Sequence, residues 1–325
     1  MWFLSRRCHC LLILVFLFAG TNLFAQLPAT RLSAVFPAGA QAGQTVEISI
    51  AGEDLDDVAA LTFSHPGITA KQKMAPPGPF DEGPQPVENQ FTITVAGNVP
   101  VGVYEARAVG KYGTSNPRAF TVSDIAEAVE IEPNNNQEQA TAISHPAIVN
   151  GRSSNGGDVD YFKFTATAGQ RITILGSARG IDSPMDLVVT AYDPQGRQLD
   201  SSRDGLRGDS LVDFTARAAG EYSVKVHDAA FQAGADYVYR LQIRVLPGIH
   251  FIFPPAGLAG GHRPFTICCR NLPGGRAANI LLDGRPLQMV ATNIPIPGGA
   301  AAQSLTFDSI LSPAAAALDA TQFRI

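Results

Sequence analysis

Alternation is the strongest constraint in this chain. In residues 45–50, Val46, Ile48 and Ile50 fall on one face of an extended segment. Phe91, Ile93 and Val95 repeat the pattern, and so do Tyr104, Ala106 and Ala108. A period of two is the spacing of a half-buried strand. Glycine, proline and aspartate cut these runs short; 31 Gly and 23 Pro leave little room for long elements. No amphipathic helical pattern occurs after the N-terminal segment. Short alternating strands separated by turns predict an all-β chain built as tandem β-sandwiches.

Three sandwich-sized spans are expected, at 27–123, 125–246 and 248–325, after a processed segment at 1–25. The first includes a proline-rich loop at 75–86, read as extended and solvated. The middle span holds seven or eight strand-like runs, which suits a jelly-roll or related sandwich. An internal repeat supports the division. At an offset of 217, Phe36-Pro37 falls on Phe253-Pro254, Ala42-Gly43 on Ala259-Gly260, Ile50 on Ile267 and Leu55 on Leu272. The third span is therefore read as a relative of the first. It ends at Phe323-Arg324-Ile325, where the first span still has a closing strand to come. The expectation is a third sandwich lacking its last strand, in the N-terminal part of a longer protein.

The N-terminus reads as an export signal. Arg6 and Arg7 precede an apolar run at 11–19, and Ala25 is a small residue suited to cleavage. That run is about half of the ~20 residues a membrane-spanning helix needs. Removal of the segment takes two arginines and no acid, moving the formal charge from -5 to -7. An acidic chain is a poor partner for nucleic acid or an anionic membrane. The expected location is secreted, periplasmic or cell-surface, with no transmembrane segment after cleavage. Cys268 and Cys269 are neighbours, closer than a relaxed disulfide allows. They are read as one buried and one outward thiol on a strand.

Two strings carry candidate chemistry. In residues 129–136, an extended backbone puts Glu130, Glu132 and Asn134 on one side, and Pro133 keeps the segment out of helix. In residues 157–164, Asp158 and Asp160 share parity with Phe162 and Phe164, so Asp160 points inward near the rim. A buried carboxylate needs a cation or several hydrogen bonds. Calcium, with its 6 to 8 oxygen ligands, is one reading. The other is a tight turn in which Asp160 accepts backbone N–H bonds and the remaining groups are solvated.

The span from Glu130 to about Arg244 resembles the bacterial pre-peptidase C-terminal domain family. The resemblance rests on Glu-Pro-Asn-Asn at 132–135, Asp-Val-Asp-Tyr-Phe at 158–162, Ala168-Gly169-Gln170, Ala219-Gly220-Glu221-Tyr222 and residues 237–241. It implies a jelly-roll-like sandwich that serves secreted peptidases and other exported proteins as a non-catalytic accessory. It also implies calcium ligands at Glu130, Glu132, Asn134 and Asp160, with Asp158 a weaker candidate. Gly157 stands where collagen-binding relatives carry a further acid. No aromatic collagen-binding face can be matched. The first and third spans resemble immunoglobulin-like IPT/TIG sandwiches, through Phe36-Pro37-Ala38-Gly39, Gly102-Val103-Tyr104 and Ser115-Asn116-Pro117. The domain order resembles large exported proteins of planctomycete-type bacteria.

The search for catalytic motifs finds no Gly-x-Ser-x-Gly elbow, His-Glu-x-x-His or P-loop. The histidines after the signal, His65, His145, His227, His250 and His262, are scattered in turns and strand ends. The expected function is a non-catalytic exported binding, spacer or accessory protein, calcium-stabilised, facing an extracellular protein or polysaccharide. The alternative is the front accessory region of a larger secreted hydrolase.

Overall fold

The computed structural model describes residues 28–145, 147–205, 208–244, 248–255, 262–270, 275–282, 285–295, 304–305 and 323–324. The expected signal at 1–25 lies outside the described residues. The chain forms tandem β-sandwiches.

The first sandwich contains β1 (Arg31–Phe36), β2 (Gly39–Gln41), β3 (Thr45–Glu53), β4 (Ala60–Phe63), β5 (Ile68–Ala75), β6 (Gln85–Val95), β7 (Gly102–Gly110), β8 (Gly113–Thr114) and β9 (Arg118–Ser123). One sheet runs β1-β3-β6-β5 and the other β2-β9-β7-β4, with β8 paired to β7. The alternating residues read from the sequence fill the space between them. Phe91, Ile93, Ala106, Ala108 and Phe120 are all fully buried.

The second sandwich contains β10 (Glu127–Val129), β11 (Thr141–Ala142), β12 (Ala147–Arg152), β13 (Asp160–Ala166), β14 (Arg171–Ser177), β15 (Leu187–Tyr192), β16 (Gln198–Arg203), β17 (Ser210–Thr215), β18 (Gly220–Asp228) and β19 (Val238–Arg244). Its sheets run β10-β12-β19-β14-β17 and β11-β13-β18-β15-β16. Phe162, Val224 and Val226 from one sheet meet Ile172, Ile174, Leu241 and Ile243 from the other in a single core. Two of its ten strands, β10 and β11, are too short to leave an alternation signal. They lie at the same edge of the sandwich, each parallel to its neighbour. The chain between them crosses from one sheet to the other, and the acidic lead-in is that crossover.

The third span contains a sheet of β20 (Gly248–Phe253), β21 (His262–Arg270), β22 (Arg276–Leu282) and β23 (Arg285–Pro295), in the order β20-β21-β23-β22. A two-stranded ribbon pairs Ser304–Leu305 with Phe323–Arg324. The repeat is visible in the ladders themselves. Phe36 pairs with Ser49 and Phe253 with Thr266, both shifted by 217. The irregularity in the first ladder, between Leu32 and Ala34, recurs between Ile249 and Phe251. Equal spacing of strands and of a bulge is hard to attribute to composition. The cysteines differ from expectation. Both Cys268 and Cys269 are buried, because β21 is covered on both faces, and neither forms a disulfide. Burial pushes the Cys269 thiol up to about 12.

The first and second sandwiches share a packed seam. Ala34 and Ala38 meet Ile181 and Val238. The Arg152 guanidinium lies 4.8 Å from the centre of the Phe36 ring. The Ala119 N–H donates to Asp182 Oδ2 at 2.9 Å. Beneath the seam, Arg240 Nη2 donates to Glu127 Oε1 at 2.5 Å. Ser123 Oγ donates to the same oxygen, and Asn150 Nδ2 donates to Glu127 Oε2. Burying an ion pair is favourable only with such additional hydrogen bonds.

Phe162 sits at the centre of the second core with no exposed surface. Phe162→Ala should destabilise the protein by ~3–5 kcal/mol, the usual cost of removing a buried phenyl ring. Denaturant unfolding followed by tryptophan-independent circular dichroism measures it; a loss under ~1 kcal/mol would mean the core is not packed as described.

Candidate acidic site in the crossover

The site is built where the crossover leaves β10, beside β12, and passes β13. The Glu130 N–H donates to the Asn150 carbonyl at 3.0 Å and extends the β10–β12 ladder by one residue. Glu130 Oε1 then accepts the Arg152 N–H at 2.7 Å. These two bonds hold the carboxylate over Gly151. A Cβ on Gly151 would fall 2.3 Å from the Tyr239 hydroxyl and 2.6 Å from Glu130 Oε2, so only glycine leaves room here. Tyr239 faces Gly151 across the β12–β19 ladder and is fully buried.

On the far side, Asp160 opens β13 and is 1% exposed. The Tyr239 hydroxyl lies 2.7 Å from Asp160 Oδ2 and 2.9 Å from Glu130 Oε2. A phenol carries one proton and donates one hydrogen bond. With both carboxylates ionised, one of these contacts sets lone pair against lone pair. A second proton on the acids, or a cation between them, removes the conflict.

Glu132 joins the pair. Glu130, Glu132 and Asp160 each offer a carboxylate oxygen within 4.8 Å of the others. Glu132 Oε2 also accepts the Asn134 N–H at 2.9 Å. Asn134 is fully buried, and its carbonyl accepts the Tyr161 N–H at 2.8 Å, which ties the crossover to β13. Asp158 stands apart from the trio. Its Oδ2 accepts the Ser154 N–H at 2.7 Å and braces the preceding turn. It acts on the others through its charge. Among the described residues, then, the structure gathers Glu130, Glu132 and Asp160, places Asn134 beside them, and assigns Asp158 to a turn.

Burial, first, and the neighbouring carboxylates, second, push the Asp160 acid up to about 8. The same desolvation, offset in part by the Arg152 and Tyr239 hydrogen bonds, lifts Glu130 to about 7. Burial and the two adjacent acids also raise Tyr239 well above the ordinary phenol range, so it stays a donor.

Tyr239 and Gly151 are the site residues that sequence reasoning did not single out. Tyr239 has the parity of Leu241 and Ile243 and reads as one more core aromatic. Gly151 looks like any strand-end glycine.

Taken together, these features define a tandem β-sandwich protein with an acidic, tyrosine-centred crossover in its second sandwich. That sandwich carries, at residues 158–228, a match to the family model of the bacterial pre-peptidase C-terminal domain. The matched span includes Asp158 and Asp160; Glu130, Glu132, Gly151 and Tyr239 flank it. Similar solved structures include the pre-peptidase C-terminal domain of a collagenase from Bacillus anthracis, 17% identical, with a TM-score of 0.29, covering 34% of this chain and 100% of that one. A periplasmic inhibitor of g-type lysozyme from Aeromonas hydrophila is 15% identical, with a TM-score of 0.25, covering 37% and 100%. A Bacteroides ovatus protein from a mixed-linkage glucan utilization locus, solved with a heptasaccharide, is 10% identical, with a TM-score of 0.22, covering 62% and 74%. No curated protein sequence matches the chain. No helix among the described residues is long and apolar enough to cross a membrane.

The raised acids fix a pH dependence. In the fold they hold protons that the unfolded chain, with values of 3.8 and 4.5, releases. Stability from this pair is complete below about 4 and is lost as pH rises through about 7 to 8. In chelator, the melting temperature should therefore fall between about pH 5.5 and 8.5, and Asp160→Asn should flatten the fall. A wild-type melting temperature that rises over this window would contradict the arrangement.

Proposed function

We propose that this chain is a non-catalytic part of an exported protein, a binding, spacer or accessory module, and that its crossover holds calcium. The observation that carries the cation is the convergence of three carboxylates on one point, two of them sharing a single phenol proton. The donor set fits. Carboxylate oxygens are the ligands a hard divalent ion prefers, and backbone carbonyls and water complete its usual 6 to 8 positions. Glu130, Glu132 and Asp160 would hold the ion, and Asn134 would position Glu132. Asp158 contributes charge. The chemistry supplied is structural: the ion neutralises acids that otherwise repel and fastens the crossover to both sheets.

Export is supported by the N-terminal segment, with its two arginines, apolar run and small residue at Ala25. The partner would be an extracellular protein or polysaccharide surface. Accessory service to a larger secreted peptidase is a second reading, favoured by the match of 158–228 to a domain named for pre-peptidases. The flanking sandwiches act, in either reading, as IPT/TIG-like spacers.

Millimolar calcium should raise the melting temperature of the wild-type protein relative to chelator, because a ligand bound only by the native state stabilises it. Glu132→Gln combined with Asp160→Asn should abolish the difference. Equal melting curves for the wild type with and without calcium would sink the cation. Peptide hydrolysis by purified residues 26–325, lost on one point substitution, would refute the non-catalytic assignment.

A further inference from the structure

A cleft of about 360 Å³ opens where the first sandwich meets the outer face of β19. Alternation puts Arg240, Gln242 and Arg244 in one row along its floor. Ser177 and Leu175 of β14 flank that row on one side, opposite Arg240 and Gln242. Ile148 of β12 flanks it on the other. Val103 and Thr121 of the first sandwich supply a wall. The cleft exists only because the two sandwiches are docked.

Two polar groups in it call for a partner. Arg240 is 7% exposed, and its Nε finds no hydrogen-bond acceptor among the described residues. The buried Oγ1 of Thr121 has none either. Buried donors of this kind are satisfied by water or by a ligand. Arg240 keeps this capacity although Glu127 takes its Nη2, since a guanidinium has five N–H donors.

The lining restricts the ligand. Arg240 and Arg244 line the cleft together with Asp124 and Asp209. A simple anion would meet the aspartates, and a simple cation the arginines. Half of the remaining lining residues are aliphatic and, among the described residues, none is aromatic, so a sugar has nothing to stack on. A molecule with both charges and an aliphatic body satisfies all of these terms. Its carboxylate would meet the arginine row, where a planar fork favours it. Its ammonium would meet an aspartate, and its side chain would cover Val103, Ile148 and Leu175. The volume lies at the small end of ligand pockets.

We propose that the cleft between the first and second sandwiches binds a short zwitterionic peptide with aliphatic side chains. The site is independent of the crossover cation.

The probe is alanyl-leucine, titrated calorimetrically into the full chain, with N-acetyl-alanyl-leucine and alanyl-leucinamide as controls. Binding of the free dipeptide is expected, with each blocked form weaker by about tenfold or more. Val103 is 45% exposed, so Val103→Trp leaves the core intact while filling the cleft from its wall; it should abolish binding. The titrations are run with calcium and with chelator, so that failure of the cation site leaves the result readable. No binding of the dipeptide to folded protein at millimolar concentration overturns the proposal. Equal binding of the blocked forms, or full binding by Val103→Trp, also overturns it.

Discussion

One phenol proton lies between a buried and a half-buried carboxylate, and the second sandwich is arranged around that fact. Tyr239 reaches Asp160 at 2.7 Å and Glu130 at 2.9 Å, and it can donate to only one of them. In a low-dielectric interior, two uncompensated acids at this separation repel strongly. The fold places Glu132 beside them and so adds a third. Such a site is stable with an added proton or an added cation. The first is what the raised acids express, and the second is the state proposed for the protein in calcium.

Position gives the site its mechanical meaning. β10 belongs to one sheet and β11 to the other, so the segment between them closes an open edge of the sandwich. Glu130 is fastened to β12 by one backbone bond and one from the Arg152 N–H to its carboxylate, and Asn134 to β13 by a backbone bond. The acids themselves supply the tie in the middle. β10 and β19 also serve the neighbouring sandwich. Three residues before Glu130, Glu127 anchors Arg240, and Arg240 follows Tyr239 on β19. Alternation sends Tyr239 inward to the acids and Arg240 outward to the first sandwich. A short stretch of β10 and β19 thus carries both the internal tie and the contact between sandwiches.

Much of this was legible before the structure. Parity with Phe162 and Phe164 was enough to turn Asp160 inward, because a strand leaves its side chains only two directions. The offset of 217 foretold matching strands in the third span, and the ladders repeat it down to the bulge. What escaped has a common physical reason: parity names a face but not what covers it. Tyr239 read as core because its hydroxyl's partners come from β13 and the crossover, far away in sequence. Arg240, Gln242 and Arg244 alternate with the core residues of β19, and the first sandwich lies over part of the face they form. Cys269 or Cys268 should have faced outward, and both faces of β21 are covered. Asp158 shares Asp160's parity but precedes the strand, where a turn N–H claims it instead.

The central claim is that Glu130 and Asp160 require a proton or a cation to coexist beside Tyr239. Carbon-13 NMR titration of the side-chain carboxyls, assigned with Asp160→Asn, reads their protonation directly. In chelator, the Asp160 resonance should titrate near 8, and calcium should hold the same carboxyl ionised through neutral pH. Titration near 4, unchanged by calcium, would show that both acids are ionised without help and would contradict the account.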